Sequence, residues 1–266
     1  SLWYPIWDQG TKLGHAVRTV DETLDLASSD LDTATSLLSC RYIAGSAQLA
    51  DELASFALSQ WKNNARSWLP KLATSIQNRH RTKGEVAFML EPELKEGRGG
   101  LRDVHAIGWA TQSGQGPLEI DHYQLLESYE IILRARVELH RSSKRSSDKL
   151  LMEQQDAVAA AIGYHDADFL MADVAAAARR IAWNVDELCH AIQNAGLFGL
   201  WNFGKKIGDT LTGKRKSVST HLTSDPEYFA EKVLQVAVTT AKNKERLTPE
   251  IIKQLREVEM KVPDPW

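Results

Sequence analysis

Apolar residues recur with the spacing of an α-helix along most of the chain after residue 19. Leu24, Leu26 and Ala27 begin an apolar face, and Thr19 with Glu22 has the pattern of a capping box. The same spacing predicts a helix over 30–45, two helices within 47–79, a short helix from Asp103, and helices over 121–141, 149–162 and 167–195. The sequence therefore predicts a mainly α fold, an antiparallel helical bundle.

The residues before position 19 have a different pattern. Two short apolar and aromatic runs, 2–7 and 13–18, flank the turn residues at 8–10, which predicts two strands. Because two strands alone are only marginally stable, the rest of their sheet would have to come from outside this chain. We therefore expect a short N-terminal β remnant beside the helical bundle.

The last third of the chain is predicted to leave the bundle. Residues 196–222 are rich in glycine and lysine and lack a sustained period, which predicts a linker or a surface excursion. Two more helices are predicted over 225–242 and 248–261. The expected domains are 1–19 as the last strands of a larger sheet, 20–195 as the helical domain, 196–222 as the linker, and 223–266 as a terminal helix pair.

The composition is that of an ordinary globular protein, with 43% hydrophobic residues, 25% charged residues and a net charge of -3. This balance excludes a disordered chain and does not favour nucleic acid as a partner. The sequence shows no membrane-spanning run and no signal-peptide pattern, and it lacks an initiating Met, so we expect it to begin inside a longer protein. Cys40 and Cys189 lie far apart, which favours buried free thiols and a cytoplasmic protein.

The segment 90–103, Leu-Glu-Pro-Glu-Leu-Lys-Glu-Gly-Arg-Gly-Gly-Leu-Arg-Asp, concentrates glycines and charges between helical segments. Gly97, Gly99 and Gly100 would let the backbone approach a ligand closely. The cationic side chains that accompany them, and that suit phosphate, are Lys95, Arg98 and Arg102. The segment is therefore interpreted either as an anion-binding loop or as a glycine turn before a helix that Asp103 caps.

Further candidates lie outside this segment. His15 and Arg18 could project toward a phosphate or form a surface pair. Asp8 could be an acidic ligand, although a turn residue is favoured. Arg136 and His140 share one face of a helix, for which a solvated or interdomain role is favoured.

Two short motifs are typical of metal enzymes but have simpler explanations. The run 29–32, Ser-Asp-Leu-Asp, resembles a metal-binding strand of nucleotidyltransferases, yet its surroundings are helical, and a helix N-cap at Ser29 or Asp30 is favoured. His165 and Asp166 form the dipeptide of metal-dependent phosphohydrolases, but no suitably spaced ligand accompanies them, so a polar turn is favoured.

Several motifs occur in the order found in one enzyme family. They are Trp7-Asp8, the run 13–19 (Leu-Gly-His-Ala-Val-Arg-Thr), the predicted helix over 30–45 and the segment 90–103. In this order the chain resembles the bacterial bifunctional uridylyltransferase/uridylyl-removing enzymes that modify the PII nitrogen-signalling protein. Glu93 and Arg98 depart from the family's usual Asn and Pro, and the change at position 98 is expected to loosen the loop.

The resemblance implies a nucleotidyltransferase domain, a helical domain, a His-Asp hydrolase domain and two ACT domains in the whole enzyme. It implies transfer of UMP, or of AMP in related enzymes, from UTP or ATP to a tyrosine of the PII protein. The Asp-x-Asp strand that binds magnesium would lie upstream of Ser1, and residues 1–19 would end the transferase core. We therefore expect magnesium in the whole enzyme, no metal ligand within this chain, an inactive fragment, and the PII protein and the remaining domains as partners.

The resemblance also implies roles for individual residues. Those expected to contact the nucleotide or its phosphates are Lys95, Arg102, Gly99, Gly100, His15 and Arg18. Those expected to fix the loop are Glu91, Glu96 and Asp103, and Asp8 is the candidate catalytic carboxylate. The alternative is a helical scaffold or partner-docking module without catalysis, in which the segment 90–103 is a structural clasp.

Overall fold

The computed structural model describes residues 3–10, 13–115, 120–144 and 146–197, together with Val238. The chain divides into two units, Ser1–Asn202 and Phe203–Trp266, and all described residues except Val238 belong to the first. The predicted linker after residue 197 and the predicted terminal helices lie outside the described residues, apart from Val238. Those predictions, and the predicted domain boundaries, stay predictions.

The described part of the first unit is mainly helical, which confirms the predicted fold class at that level. Its α-helices are α1 (Tyr4–Trp7), α2 (Val20–Ala27), α3 (Leu31–Leu37), α4 (Ala47–Asn63), α5 (Ala65–Lys83), α6 (Leu101–Gln112), α7 (His122–Ser143), α8 (Met152–Ile162) and α9 (Ala167–Leu197). A 3₁₀ turn at Val86–Phe88 lies between α5 and α6. The predicted break between two helices near Asn64 is confirmed, and Pro70 lies inside α5.

Side-chain caps begin three helices at residues that the sequence pattern indicates. Thr19 and Glu22 exchange hydrogen bonds in a capping box at the start of α2. Asp30 accepts the amide of Thr33 at 2.7 Å and so caps α3, which confirms the N-cap interpretation of the run 29–32. Asp121 caps α7 in the same way, at 3.1 Å from the amide three residues on.

The helix that begins after Asp30 ends earlier than predicted, at Leu37 rather than near residue 45. Tyr42 and Ile43 are exposed, so no buried apolar face stabilises further turns. Cys40, just after α3, is exposed as well, whereas Cys189 is buried. The prediction of two buried thiols is therefore wrong for Cys40.

The long helix α9 lies at the centre of the main core. It packs against α5, α6, α7, α8 and the 3₁₀ turn. Its fully buried side chains follow i, i+3 and i, i+4 spacing and include Leu170, Val174, Ala177, Ala178, Ile181, Val185 and Leu188. Because alanines occupy two of these positions, neighbouring backbone can approach α9 closely.

A second, smaller apolar cluster lies between α2, α3, α4 and α5. Its centre is the pair Trp61 and Trp68, whose rings are stacked with centroids 6.0 Å apart. Trp61 also donates its indole N–H to the backbone carbonyl of Trp109 in α6, at 2.9 Å. That hydrogen bond joins the small cluster to the main core.

The predicted N-terminal β remnant is not present in the described residues. The prediction of a strand over 2–7 is wrong for residues 4–7, which form the one-turn helix α1 with Pro5 in its first turn. The described residues 13–18 belong to no strand. The physical reason is that two short strands find no further strand here to complete a sheet, while Pro5 already favours a helical start. Among the described residues, no helix has the length and apolar character needed to cross a membrane.

Candidate functional site

The glycine loop, residues 90–103, is held by backbone hydrogen bonds on two sides. On one side Arg98 exchanges two such bonds with the segment 84–86, which follows α5. On the other side Leu94 donates to the carbonyl of Asp148 at 2.9 Å. The loop therefore joins the end of α5 to the connection between α7 and α8.

Asp103, in the first turn of α6, is fully buried and accepts three donors. Its carboxylate lies 2.7 Å from the amide of Gly99, 2.7 Å from Nη2 of Arg79 and 2.9 Å from Nε2 of His80. Arg79 and His80 lie near the end of α5. The carboxylate thus ties the glycine loop and α6 to α5, and its buried charge is compensated by hydrogen bonds.

The glycines of the loop lie against protein backbone. Gly99 has a φ of +83°, and a Cβ placed on it would lie 2.3 Å from the carbonyl oxygen of Ala178 in α9. A Cβ on Gly100 would lie 2.8 Å from the carbonyl oxygen of Leu94. Both amides also donate within the loop region, that of Gly99 to Asp103 and that of Gly100 to Gly97. The close approach that these glycines permit is therefore an approach to helix α9 and to the loop itself.

Arg98, where the family usually has Pro, forms two ion pairs outside the loop. Its guanidinium lies 2.7 Å from Glu85 and 2.5 Å from Asp186 of α9. The hydrogen bond and charge of Asp186, together with Glu85, raise the pKa of Arg98. Acidic partners 13 residues before and 88 residues after Arg98 thus bind its side chain, and whether the loop is looser than with proline stays a prediction.

Lys95 and Arg102 are neighbours through their backbones, and the side chains of both are partly exposed. The amide of Arg102 donates to the carbonyl of Lys95 at 2.9 Å. The Lys95 side chain is 40% exposed, and its Nζ is 3.8 Å from Glu96 and 4.0 Å from Asp148. The Arg102 guanidinium stands 5.5 Å from the ring centre of Trp109 and pairs with no carboxylate among the described residues. These two cations therefore remain accessible, and their predicted role in phosphate contact stays a prediction.

Asp148, next to Lys95, also binds two side chains of α7. It accepts Nε of Arg136 at 2.7 Å, and it lies 2.8 Å from Nε2 of His140. Desolvation opposes its ionisation, but the hydrogen bond and charge of Arg136, the hydrogen bond of His140 and the charge of Lys95 outweigh it and lower the pKa of Asp148. Arg136 and His140 are only partly exposed because they share a partner beyond the end of α7, and their predicted interdomain role stays a prediction. Their shared helical face was the available sequence signal.

The glutamates of the loop have different surroundings. Glu91 accepts Nζ of Lys149 at 2.7 Å, and this hydrogen bond lowers the pKa of Glu91. Glu96 stands 3.8 Å from Nε of Arg79 as well as beside Lys95. Glu93 accepts the amide of Glu96, yet desolvation, with the nearby charge of Asp148, raises the pKa of Glu93. Glu91 thus contacts the segment before α8, while Glu96 and Glu93 contact the loop's own neighbours.

His105, three residues after Arg102 in α6, was missed by the sequence reasoning. Its ring lies 6.2 Å from that of Trp109 and 5.9 Å from that of Tyr129 in α7. Partial desolvation between these rings lowers the pKa of His105, and so do the positive charges of Arg102, Lys95 and Arg136. The charges of cations from the loop, α6 and α7 therefore all act on His105.

The N-terminal candidates do not meet the glycine loop. His15 packs between the rings of Trp3 and Trp7, with centroids 5.5 and 5.0 Å away. Asp8 ends α1, and Arg18 is exposed just before α2. Among the described residues, no hydrogen bond, ion pair or ring contact joins Asp8, His15 or Arg18 to the loop, and their predicted roles stay predictions.

The His165 and Asp166 motif forms a polar turn before α9, as favoured from the sequence. The two side chains lie 2.8 Å apart, and Asp166 also accepts the amide of Phe169 at 3.1 Å. Within the described ranges, no group of three or more His, Cys, Asp or Glu side chains could hold a metal ion. The described residues therefore do not fit a magnesium site.

The sequence is similar to a family model and to several named enzymes. A family model described as GlnD PII-uridylyltransferase matches residues 69–192, a range that contains the whole glycine loop. A bifunctional uridylyltransferase/uridylyl-removing enzyme of Mycobacterium tuberculosis is 32% identical over 277 residues, covering 100% of this chain and 34% of the relative. A protein of the same name from Streptomyces coelicolor is 40% identical over 187 residues, covering 70% of this chain and 22% of the relative.

A third relative, from Nitrosococcus oceani and again named a bifunctional uridylyltransferase/uridylyl-removing enzyme, is 38% identical over 174 residues. That match covers 60% of this chain and 19% of the relative. The chain spans about a third or less of the length of the curated relatives it matches. No solved structure matches the chain.

Proposed function

Because the chain belongs to the family of bifunctional uridylyltransferase/uridylyl-removing enzymes, we propose that it forms part of an enzyme that transfers UMP from UTP to a tyrosine of the PII signalling protein. The observation that carries the proposal is the family match over residues 69–192, which includes the glycine loop and the helices that hold it. The activity belongs to the whole enzyme, of which this chain supplies a helical part.

In this reaction the tyrosine oxygen forms a bond to the α-phosphorus of UTP, and the bond from that phosphorus to the bridging oxygen breaks. Pyrophosphate leaves with the electron pair of the broken bond, and the tyrosine proton is released. Negative charge therefore accumulates on the leaving group. Positive side chains placed beside that group in advance lower the barrier, since they need little reorganisation during the reaction.

Lys95 and Arg102 are the loop residues that we propose for this contact. Their ammonium and guanidinium groups are accessible, whereas the glycine amides of the loop already donate within the protein. Magnesium would supply charge neutralisation at the phosphates of the whole enzyme, but the described residues offer it no ligand cluster. The residues of this chain would therefore act through hydrogen bonds and charge alone.

Transfer of AMP from ATP would use the same phosphate contacts. Neither Lys95 nor Arg102 distinguishes one base from another by contact with the phosphates alone. Parallel assays of the whole enzyme with UTP and with ATP, using the PII protein as acceptor, decide between the two substrates. We expect UTP to be preferred, because each of the three relatives carries the name uridylyltransferase.

A second candidate function is a helical scaffold without catalysis, and the surroundings of Asp103 favour it. A buried carboxylate that binds Gly99, Arg79 and His80 is a structural clasp between the loop and α5. Different residues carry the two candidate functions. The clasp depends on Asp103 and Gly99, and the proposed phosphate contact depends on Lys95 and Arg102.

The deciding experiment substitutes alanine for Lys95 and for Arg102 in the full-length enzyme. We expect nucleotide transfer to the PII protein to be abolished while the melting temperature stays nearly unchanged, because both side chains are accessible. Lys83→Ala, at the exposed end of α5, is the matched control and should transfer normally. If the substitutions lower the melting temperature but leave nucleotide transfer intact, the result favours the scaffold function instead.

The 266-residue chain provides a second test. We expect it to transfer no nucleotide when it is incubated with the PII protein, magnesium and UTP or ATP, because its described residues offer no metal-binding cluster. Transfer above background would contradict this expectation and would show that the chain carries a catalytic site of its own.

A further inference from the structure

Arg136 and Lys95 lie on opposite oxygens of one carboxylate. Nε of Arg136 is 2.7 Å from Oδ1 of Asp148, and Nζ of Lys95 is 4.0 Å from Oδ2. Only Nε of Arg136 is engaged within the described part of the chain, so its two terminal amino groups have donors left for a ligand. Asp148 therefore holds a cation of α7 next to a cation of the glycine loop.

Arg102 and His105 extend this surface along α6. The backbone of Arg102 is bonded to Lys95, and its guanidinium lies on Trp109, which is also next to the ring of His105. The ring of His105 also lies 5.9 Å from that of Tyr129, two helical turns before Arg136 in α7. The charges of Lys95, Arg102 and Arg136, from the loop, α6 and α7, all act on His105, so the three cations lie in the neighbourhood of its ring.

The carboxylates of this surface limit which ligand fits. Asp148 is occupied by Arg136 and His140, and Glu96 stands near Arg79 and Lys95. Repulsion by these carboxylates disfavours an anion with a single phosphate group, because it has few oxygens to bond to the cations. A ligand with several phosphate oxygens can instead reach the fork of Arg136 and the guanidinium of Arg102 together, since guanidinium groups bind phosphate through paired hydrogen bonds.

We propose that Arg136 joins Lys95 and Arg102 in a binding surface for the pyrophosphate portion of a nucleoside triphosphate. This inference rests on the proposed function, because it assigns the leaving group of that reaction to a place on the helical part of the enzyme. The surface contacts phosphates and leaves the base free. It therefore binds UTP, ATP and inorganic pyrophosphate similarly, and UMP more weakly.

Equilibrium binding of inorganic pyrophosphate to the 266-residue chain tests the site directly. Isothermal titration calorimetry at low salt compares the unsubstituted chain with Arg136→Gln and Arg102→Gln. Each variant is expected to weaken binding about tenfold or more, which is the scale of one lost hydrogen bond to a charged group. Arg141→Gln is the matched control in the same helix, because the Arg141 side chain is 75% exposed and pairs only with Glu138 among the described residues.

Arg136→Gln also removes a partner of Asp148, so its thermal melt is recorded alongside. If that variant unfolds, pyrophosphate binding is tested with two others. They are Arg102→Gln and Arg136→Lys, the second of which keeps the positive charge but loses the paired donors of the guanidinium group. The proposal is overturned if the unsubstituted chain shows no saturable binding of pyrophosphate at millimolar concentration. It is equally overturned if folded Arg136 and Arg102 variants bind as well as the Arg141 control.

The transfer assay of the full-length enzyme separates this inference from the proposed function. If Arg136→Gln leaves transfer and the KM for UTP unchanged, the pyrophosphate surface is refuted while the transferase function stands. If pyrophosphate binds the chain through Arg136 but the full-length enzyme transfers no UMP, the binding surface stands and the proposed function fails.

Discussion

The amide of Gly99 and the carboxylate of Asp103 lie 2.7 Å apart, and this hydrogen bond closes the glycine loop onto the first turn of α6. The same carboxylate also binds Arg79 and His80, which lie near the end of α5. Local closure of the loop and the packing of two helices therefore depend on one side chain.

Replacing Asp103 is expected to destabilise the fold strongly. Asp103→Ala leaves Arg79 and His80 partly buried without their carboxylate, and breaking a buried ion pair in this way costs about 3 to 5 kcal/mol. Urea unfolding followed by circular dichroism measures the loss. Asp173→Ala, which removes an exposed hydrogen bond to Tyr164, is the control and should change the midpoint far less. Equal midpoints for the two variants would contradict the central role of Asp103.

Gly99→Ala is expected to cost about 3 kcal/mol or more, because a positive φ and a collision with backbone act together. The added Cβ would meet the carbonyl of Ala178, which α9 cannot move without repacking. Gly163→Ala isolates the first effect, since Gly163 has a φ of +91° and open space around its Cβ position. Thermal melts of the two variants should differ clearly; a similar loss in both would show that contact with α9 is unimportant.

The ion pairs of Asp148 should make stability depend on pH. Because the folded pKa of Asp148 is lowered, its contribution is fully present above the unfolded pKa of about 3.9 and is lost as pH falls through the folded value. Asp148→Asn should lower the free energy of unfolding at neutral pH by about 1 to 3 kcal/mol. It should also flatten the acid dependence of urea midpoints, whereas Asp51→Asn, at an exposed position of α4, should leave that dependence unchanged.

Ionisation of Glu93 is expected to change stability in the opposite direction from ionisation of Asp148. Its folded pKa is raised, so the ionised form destabilises the fold, and this penalty is present above the folded pKa and absent below the unfolded pKa of about 4.3. Glu93→Gln keeps an acceptor for the amide of Glu96 and removes the charge beside Asp148. We expect it to stabilise the chain at neutral pH by on the order of 0.5 kcal/mol, the scale of a partly screened charge pair. The gain should disappear near pH 4, and a gain that persists there would refute the electrostatic explanation.

Arg98→Ala should lower stability by about 1 kcal/mol, since its partners Glu85 and Asp186 are well exposed. Arg98→Pro, which installs the residue usual in the family, should cost more, because proline also lacks the N–H that donates to Gly84 at 2.9 Å. Urea midpoints of the two variants test the order. If the proline variant is the more stable one, the rigidity of the ring outweighs both ion pairs.

Local signals were predictable from the sequence. The caps at Thr19, Asp30 and Asp121 depend on residues three positions away, so the pattern contains both partners. The glycine loop was also found as a segment, because its composition differs from that of the flanking helices. The N-terminal strands were mispredicted because a strand depends on partners that the local sequence does not contain.

Long-range partners explain what was missed in the candidate site. Gly99 contacts Ala178, and Arg98 contacts Asp186, 88 residues later in the sequence. No local pattern predicts contacts between residues so far apart in the sequence. Arg136 and His140 were seen to share a face, but their common partner Asp148 follows a turn after α7. His105 carries no motif, and of the three cations that act on it only Arg102 is close in sequence, whereas Lys95 and Arg136 come near it through the packing of the loop and of α7.

The absence of a side chain at Gly99 sets how closely α9 can lie to the glycine loop. With 31 residues, α9 extends far beyond this point of contact, and Val174, Ala177 and Ile181 near Ala178 are buried as well. Since packed interiors resist continuous deformation, sliding of α9 along its axis would press the Ala178 carbonyl into the loop backbone. The close contact between Gly99 and Ala178 therefore restrains the axial register of the longest described helix.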